Sequence, residues 1–368
     1  MRRPILLLLA FLVGAAVAGL ALYVRQELRT PGLPPRAEAG GRVTVGVILE
    51  IPRGLGARGV VQLLEQNRII RNRYVALAYI FSTGARNKLQ AGEYLFDRPL
   101  TIPEVVDKLA TGAVYLHKFT VPEGLTVEGT AQKWQEQGFG PAEDFLMAAA
   151  GAVDLVRHFD EKATSMEGYL FPETYSFPAH TTASQAVEAM VNRFHQMADR
   201  LQQAVPFTNW PLNLHEAVIL ASLVETEAAH EDERAVIASV YLNRLNRRIR
   251  LQCDPTVIYA LQQADRYRGS LTLADLRFQS PYNTYVNAGL PPGPIANPGY
   301  PSLLAAVQPA STNYFYFVRT TEGRHTFSET LAAHNRAVAA YRKLQRPSRT
   351  RPVGELLPGH QVSRKLPS

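Results

Sequence analysis

The amino-acid sequence predicts an α+β protein with an N-terminal membrane helix, a small β–α module and a mainly helical domain with short strands. Three observations support this prediction. A charge-free apolar run opens the chain at residues 4–24. Alternating apolar residues, typical of a strand, begin near Val43 and precede short amphipathic helical patterns. From about residue 165 the pattern changes to long helices and loops rich in Pro, Tyr and Asn.

The apolar run at the N-terminus is long enough to cross a bilayer. Its 21 residues span the hydrocarbon core at a rise of about 1.5 Å per residue. Arg2 and Arg3 precede it, so we expect a cytoplasmic N-terminus and the bulk of the chain outside the cell inner (plasma) membrane. The alternative is a cleaved signal peptide, because residues 16–18 have small-x-small spacing. The run continues apolar to Val24, which favours a retained anchor.

Charge and cysteine content exclude several classes of function. The net charge of +7 comes entirely from the two ends, since residues 1–29 carry +3 and residues 346–368 carry +4. Residues 30–345 therefore sum to zero, and nothing in this balance demands the concentrated basic face that a nucleic-acid partner needs. Cys253 is the one cysteine, which excludes an intramolecular disulfide and a cysteine-ligated zinc site.

Composition and pattern together predict six segments. They are a cytoplasmic N-terminus and transmembrane anchor (1–29), a Pro/Gly-rich linker (30–41), a small β–α module (42–118), a second small α/β segment (119–164), a larger domain (165–345) and a disordered basic tail (346–368). Within the first module we expect strands at 43–49 and 91–96, and helices at 56–66, 73–81 and 102–109, the last opened by Thr101.

A weak repeat links the two small segments. Residues 51–55 (IPRGL) return as residues 121–125 (VPEGL), each at a strand end followed by a turn and an amphipathic pattern. This spacing suggests two β–α–α–β modules, or else recurrent turn chemistry without common ancestry.

The larger domain has two strong helical patterns, at 212–229 and 233–246, with Asp232 a plausible N-cap of the second. Residues 280–300 (SPYNTYVNAGLPPGPIANPGY) hold five prolines, too many for a regular element, and so long a loop is more often functional than incidental. Residues 312–319 predict a strand. Asp254 before Pro255 is expected to cap a helix.

Two glutamates are the candidates for chemistry. The segment HEAVILASLVETEAA is apolar nearly all round, which predicts a buried helix. It carries Glu225 and Glu227, and apolar surroundings raise the pKa of a carboxyl toward the range of a general acid. Residues two positions apart on an α-helix point in directions about 200° apart, so only one of Glu225 and Glu227 can face a given cleft. A purely structural role, satisfied by Arg234, Arg244 or backbone groups, remains open.

No metal site is expected. His215-Glu216 and His230-Glu231 begin like HExxH, but Ile219 and Arg234 occupy the fifth positions.

Several ordered blocks of the sequence are similar to the YceG-like family, the endolytic murein transglycosylases called MltG. The blocks are GYLFPETYSF, ASLVETEA, ERAVIASVYLNRL, LQCDPTVIYAL, YNTYVNAGLPPGPIANPG and HTFSETLAAHN. The resemblance runs from about residue 43 to 343. It departs at Cys253, where the family usually has Ser or Thr, and at Gln308-Pro309, where His-Pro is expected.

The resemblance implies a LysM-like N-terminal module, a lysozyme-like catalytic domain and lyase activity on peptidoglycan without a cofactor. Carried over from the family motif, the catalytic residue is Glu227, with Glu225 as second candidate. Residues with groups suited to sugar are Gln252, Asp254, Tyr282, Asn283, Tyr285 and Asn287. The implied reaction cleaves the MurNAc–GlcNAc bond of nascent strands and leaves 1,6-anhydro-MurNAc ends, with peptidoglycan synthases as candidate partners. A non-catalytic peptidoglycan-binding scaffold and a hydrolytic muramidase are the alternatives.

Overall fold

A computed structural model describes residues 2–32, 36–39, 42–320 and 323–345. These residues combine α-helices with four antiparallel two-stranded sheets, which confirms the α+β class. The predicted tail (346–368) lies outside the described residues, and the predicted linker (30–41) is described only in part.

The described residues form two compact units. The first contains the residues up to 202 together with 296–299, and the second contains 203–295 and the residues from 300 onward. The elements beginning in the first unit are α1 (Arg2–Arg29), β1 (Arg36–Ala39), β2 (Arg42–Val45), β3 (Val47–Ile51), α2 (Ala57–Gln66), α3 (Arg73–Ser82), β4 (Gly92–Phe96), α4 (Ile102–Thr111), β5 (Leu116–Thr120), α5 (Val127–Glu136), α6 (Ala142–Gly151), α7 (Val153–Arg157), β6 (Thr174–Pro178) and α8 (Ala183–Ala204).

The N-terminal helix α1 confirms the predicted apolar helix. Its stretch Leu7–Arg29 is long and apolar enough to cross a membrane, and its most apolar 18 residues have a mean hydropathy of 2.5 and are not buried inside the protein. Near its C-terminal end, Val24 and Leu28 pack against the core of the first module. That core is formed by α2, α3, α4 and the β3–β4 pair, with Tyr94 and Leu109 fully buried.

Two modules, each with a strand pair enclosing helices, follow one another along the chain; the first has the suggested β–α–α–β order, and the second has one further short helix. β3 pairs with β4 around α2 and α3, and β5 pairs with β6 around α5, α6 and the short α7. The helices α2 and α5 have ten residues each and begin at equivalent positions of the repeat, Ala57 and Val127. Gly54 and Gly124 both have φ of 80°, a left-handed conformation that explains why each turn needs glycine. Common ancestry of the two copies stays open.

The β5–β6 pairing crosses two predicted segment boundaries. It joins 116–120 to 174–178, on either side of the boundaries at 118/119 and 164/165. The six-segment division itself stays a prediction. Thr101 opens α4 with a capping box closed by Glu104, as expected. Hydrogen bonds from Thr101 hold the pKa of Glu104 at about 2.

Asn297 completes the first unit from far along the chain. Its side chain is fully buried, and its Oδ1 accepts hydrogen bonds from the backbone N–H of Gly168 at 2.9 Å and of Leu170 at 3.1 Å. Its Nδ2 donates to the carbonyl of Leu125 at 2.9 Å. Buried backbone groups must find partners, so this one side chain satisfies three of them.

The second unit is mainly helical. Its elements are α9 (Leu214–Glu227), α10 (Arg234–Asn246), α11 (Asp254–Gln263), α12 (Tyr300–Val307), β7 (Tyr316–Arg319), β8 (His325–Ser328) and α13 (Leu331–Gln345). The strand predicted at 312–319 begins only at Tyr316. Asn243 Nδ2 donates to the carbonyls of Thr312 and Tyr314, which holds this stretch outside the β7–β8 ladder.

Two predicted helix caps are wrong. Asp232 lies in a short 3-10 turn, Glu231–Glu233, and its carboxylate accepts a hydrogen bond from Arg324 at 2.9 Å instead of capping α10. Asp254 is the first residue of α11 and caps nothing. In both cases a partner distant in sequence competes successfully with the local backbone for the carboxylate.

Candidate active site

The helix α9 places both glutamates at its C-terminal end. A capping box of Asn213 and Glu216 starts the helix, and residues 217–224 are all buried, as its apolar composition predicts. Glu227 is its last residue. Because the C-terminal end of a helix carries partial negative charge, a carboxylate is disfavoured there unless a cation or hydrogen-bond donor compensates.

Glu225 is compensated by an ion pair. Its Oε1 lies 2.9 Å from Arg234 Nη2, and the two side chains are only 5% and 13% exposed. The Arg234 Nε also donates to Ser302 Oγ at 2.9 Å. Arg234 is thus the cation paired with Glu225, and it is one of the partners named for a structural role of this glutamate.

Glu227 faces different neighbours, as the 200° separation predicts. Its Oε1 accepts hydrogen bonds from Tyr241 Oη at 3.1 Å and from Cys253 Sγ at 3.4 Å. Burial raises the pKa of its carboxyl from 4.5 to about 7, the two hydrogen bonds oppose this rise, and the negative charge of Asp254 adds to it. The positive charge of Arg319 also opposes the rise. Glu227 is therefore a carboxyl poised to hold or release a proton near neutral pH.

The two donors to Glu227 keep their own protons. Burial raises the pKa of both the Tyr241 hydroxyl and the Cys253 thiol well above their ordinary values. Each side chain is almost fully buried. Tyr241 and Cys253 therefore act as fixed neutral donors, and Cys253 has none of the thiolate character that a nucleophilic cysteine needs.

Gln252 and Asp254 flank Cys253 and are both exposed. Gln252 has φ of 52°, a conformation that costs a non-glycine residue free energy and persists only when neighbours hold it. Arg244 Nη2 donates to Gln252 Oε1 at 2.7 Å, and the Arg244 guanidinium lies 5.3 Å from the Tyr316 ring centre. Asp254 Oδ1 accepts a hydrogen bond from Tyr285 Oη at 2.6 Å.

The Pro-rich loop uses two of its predicted sugar-binding residues to hold itself together. Asn283 is fully buried; its Nδ2 donates to the carbonyls of Leu276 and Phe278, and its Oδ1 accepts from the Tyr285 N–H. Asn287 Nδ2 donates to the Ser280 carbonyl at 2.7 Å and to the Asn283 carbonyl at 3.0 Å. Both amides therefore shape the loop.

Aromatic faces remain on the same loop. Tyr282 is partly exposed, and its ring centre lies 4.9 Å from that of Tyr259 on α11. Tyr285 is also partly exposed, and burial together with its bond to Asp254 raises the pKa of its hydroxyl, so it remains a donor.

Sequence reasoning missed Tyr241 and Arg319. A tyrosine in a mainly apolar stretch such as residues 235–242 of α10 is a usable signal, because its hydroxyl must find a partner when buried. Arg319 gives no such signal, since its position at the end of β7 depends on long-range strand pairing. In the part of the chain that the structure describes, no three His, Cys, Asp or Glu side chains gather as metal ligands.

Comparison with known proteins places this site in a family. The sequence matches the YceG-like family over residues 49–340. The chain belongs to that family. It is 31% identical over 319 residues to the endolytic murein transglycosylase of Bacillus subtilis, covering 83% of this chain and 86% of that one.

A second relative and a solved structure support the same family assignment. The chain is 30% identical to the endolytic murein transglycosylase of Streptococcus pneumoniae strain D39, over 84% of its own length, and it spans about 60% of that relative. The crystal structure of a YceG-like protein from Listeria monocytogenes has 31% sequence identity and a TM-score of 0.52, covering 79% of this chain and 99% of that one.

Proposed function

We propose that this protein is a membrane-anchored lyase, an endolytic peptidoglycan transglycosylase that cleaves the MurNAc–GlcNAc bond of nascent glycan strands. The observation that carries the proposal is Glu227, a carboxyl with a pKa of about 7 held by two neutral donors in a chain of the YceG-like family. The relatives named endolytic murein transglycosylase support the same activity. Its place in the cell would be wall assembly and glycan strand termination.

Glu227, rather than Glu225, is the acid–base residue of this proposal. Glu225 is held in a buried ion pair by Arg234, which fixes its charge and its position. A general acid must carry a proton at the working pH, and the raised pKa of Glu227 provides it. The Tyr241 and Cys253 hydrogen bonds then stabilise the carboxylate that forms when the proton leaves.

The reaction needs a single carboxyl in two roles. Glu227 donates its proton to the glycosidic oxygen as the bond to the muramoyl C1 breaks. The C6 hydroxyl of the same muramoyl residue attacks C1, and the Glu227 carboxylate accepts the hydroxyl proton. The new C6–O–C1 bond is the 1,6-anhydro ring, and the carboxyl is again protonated. Because the nucleophile belongs to the substrate, no second carboxylate is required.

Substrate contacts are assigned to the exposed groups around Glu227. Gln252, strained and held by Arg244, and the Asp254–Tyr285 pair offer hydrogen-bond partners for sugar hydroxyls. Tyr282 offers an aromatic face for a pyranose ring. Asn283 and Asn287 are assigned an indirect role, because their amides hold the loop that carries the tyrosines.

We assign the remaining chain to holding this site near the cell wall. We assign α1 as a retained single-pass anchor with a cytoplasmic N-terminus, which leaves both units on the extracytoplasmic side. Within this proposal the first module is the family's LysM-like module and the second unit the lysozyme-like domain. Peptidoglycan glycan strands are the substrate, and peptidoglycan synthases are candidate partners.

Product analysis tests the activity. Purified sacculi digested with the detergent-solubilised full chain should yield 1,6-anhydro-muramoyl ends, lighter by one water than reducing ends, in fragments cut within strands. Glu227→Gln should abolish these products, because the amide cannot donate a proton. Reducing muramoyl ends in their place would show hydrolysis and refute the lyase mechanism. Binding without any turnover would indicate a scaffold.

Protease protection tests the anchor separately. Protease added outside spheroplasts should degrade nearly the whole chain and leave a small membrane stub. Protection of the bulk of the chain until lysis would show the opposite orientation. A mature N-terminus at Gly19 would show signal-peptide cleavage after residues 16–18.

A further inference from the structure

The helix α3 exposes an apolar face that the described elements leave uncovered. Tyr74, Ala78 and Phe81 are exposed and lie at i, i+4 and i+7, on one side of the helix. Tyr74 is 68% exposed and Phe81 48%. The opposite side, with Val75, Ala76 and Ile80, is buried in the module core. When a helix is apolar on both sides, its outer side usually contacts something other than water.

The start of α3 is fixed to the end of α1. Asn72, the N-cap of α3, donates through Nδ2 to Tyr23 Oη at 3.1 Å. Arg71 Nε lies 3.9 Å from the Glu27 carboxylate. Tyr74, the first residue of the exposed face, is thus two residues from Asn72, which contacts Tyr23 near the end of the apolar run of α1. Tyrosines concentrate where a spanning helix leaves the hydrocarbon core.

An apolar groove shows that the module follows α1 further. Its lining includes Val17, Leu20, Val24 and Leu28 of α1 together with Pro103 at the start of α4. One residue of the module, Pro103 of α4, thus lies beside the apolar part of α1. Membrane lipid around α1 would therefore contact the start of α4 directly.

Charge around the exposed face suits anionic lipid. Residues 66–90 contain five basic residues and no acidic one. Arg73 and Arg86 place their guanidinium groups 5.0 and 5.4 Å from the ring centres of Tyr74 and Phe81, and Arg73 also contacts Glu65. Arginine beside an aromatic ring matches the headgroup level, where apolar and polar surroundings meet.

We propose that the exposed α3 face, defined by Tyr74, Ala78 and Phe81, docks onto the headgroup region of the anionic bilayer that α1 crosses. The inference rests on the proposed function only in taking α1 as a retained anchor. A second copy of the chain is a poorer occupant, because pairing two such faces brings their arginines together. Docking would fix the tilt of the first module on the bilayer in addition to its tether.

Quenching by brominated lipid tests this docking in the full chain. The chain is reconstituted into phosphatidylcholine–phosphatidylglycerol vesicles whose acyl chains carry bromine, and tryptophan is introduced as Tyr74→Trp or Phe81→Trp. Met147→Trp, at an exposed site on α6 of the same unit (61% exposed), is the matched control. The emission of Trp134 and Trp210 is subtracted with the unsubstituted protein.

The added emission at positions 74 and 81 should be lost to bromine, while that at position 147 persists. Equal persistence at all three positions overturns the docking. Blue-shifted emission at 74 and 81 that resists bromine and grows with the protein-to-lipid ratio also overturns it, in favour of a second copy. Vesicle flotation separates the proposed anchor from the proposed docking. A chain that does not float with the vesicles refutes the anchor, whereas a floating chain without quenching refutes only the docking.

Discussion

Replacing Glu227 by glutamine should stabilise the second unit at alkaline pH while it removes the activity. Between pH 4.5 and about 7 the folded chain keeps a proton on Glu227 that the unfolded chain releases. The free energy of unfolding therefore falls as the pH rises through this window. Glutamine is nearly isosteric and never ionises, so the variant escapes this loss.

The size of the effect follows from the two pKa values. A rise from 4.5 to about 7 corresponds to about 3 kcal/mol, since one pH unit corresponds to about 1.4 kcal/mol. Glu227→Gln should match the unsubstituted chain in stability near pH 4 and exceed it by about 3 kcal/mol above pH 8. Turnover should drop roughly 10²–10⁴-fold, the usual contribution of a general acid.

Glu225→Gln is the matched control, because the same change is made two residues away on the same helix. Here the loss of charge leaves the largely buried Arg234 without its carboxylate partner. Removing one partner of a buried pair costs roughly 3–5 kcal/mol, so this variant should be destabilised at all pH values where the pair is charged.

Urea unfolding of the detergent-solubilised full chain measures both effects. Hydrogen–deuterium exchange of peptides from α9 reports the second unit separately from the first. Equal stability of Glu227→Gln and the unsubstituted chain at pH 8 would falsify the burial of an ionisable Glu227. Full turnover by Glu227→Gln together with an inactive Glu225→Gln would exchange the roles of the two residues.

Further predictions concern the groups around Glu227 and the closure of the first unit. Tyr241→Phe removes a donor to the Glu227 carboxylate worth about 1.5–3 kcal/mol, so the alkaline limb of the kcat/KM profile should move up by roughly one to two pH units. Asp254→Asn removes a nearby negative charge, so the same limb should move toward lower pH, and an upward shift would contradict the assigned sign. Asn297→Ala should destabilise the first unit by about 2–4 kcal/mol, measured by faster amide exchange at Gly168, with unchanged exchange in α9 as the control.

Local patterns in the sequence predict most of the regular structure. The apolar spacing of residues 56–66 and the capping sequence at Thr101 are each satisfied within one helix, so α2 and α4 follow from the residues alone. The repeat of IPRGL and VPEGL likewise predicts the strand, turn and first helix of both modules, but not the additional helix α7 of the second. The caps at Asp232 and Asp254 were predicted wrongly, because Arg324 and Tyr285 come from distant segments and no local pattern reveals them.

The candidate site also contains residues that the sequence predicts and residues whose roles depend on distant contacts. Glu227 on a buried helix follows from composition, but the pairing of Glu225 with Arg234 depends on how the chain turns between α9 and α10. For Asn283 and Asn287 the residue type alone does not distinguish an amide that binds sugar from one that binds its own loop. An asparagine side chain commonly accepts a hydrogen bond from the backbone N–H two residues later, and Asn283 accepts one from Tyr285 in this way.

The late position of Asn297 has a consequence for the order of folding. Gly168, Leu170 and Leu125 are synthesised more than a hundred residues before the side chain that satisfies their buried backbone groups. A chain that emerges from N- to C-terminus cannot close the first unit until most of the second has also emerged. Until Asn297 is made, the buried backbone N–H groups of Gly168 and Leu170 lack this hydrogen-bond partner. A chain that ends before Asn297 would therefore lose hydrogen bonds of the first unit as well as part of the second.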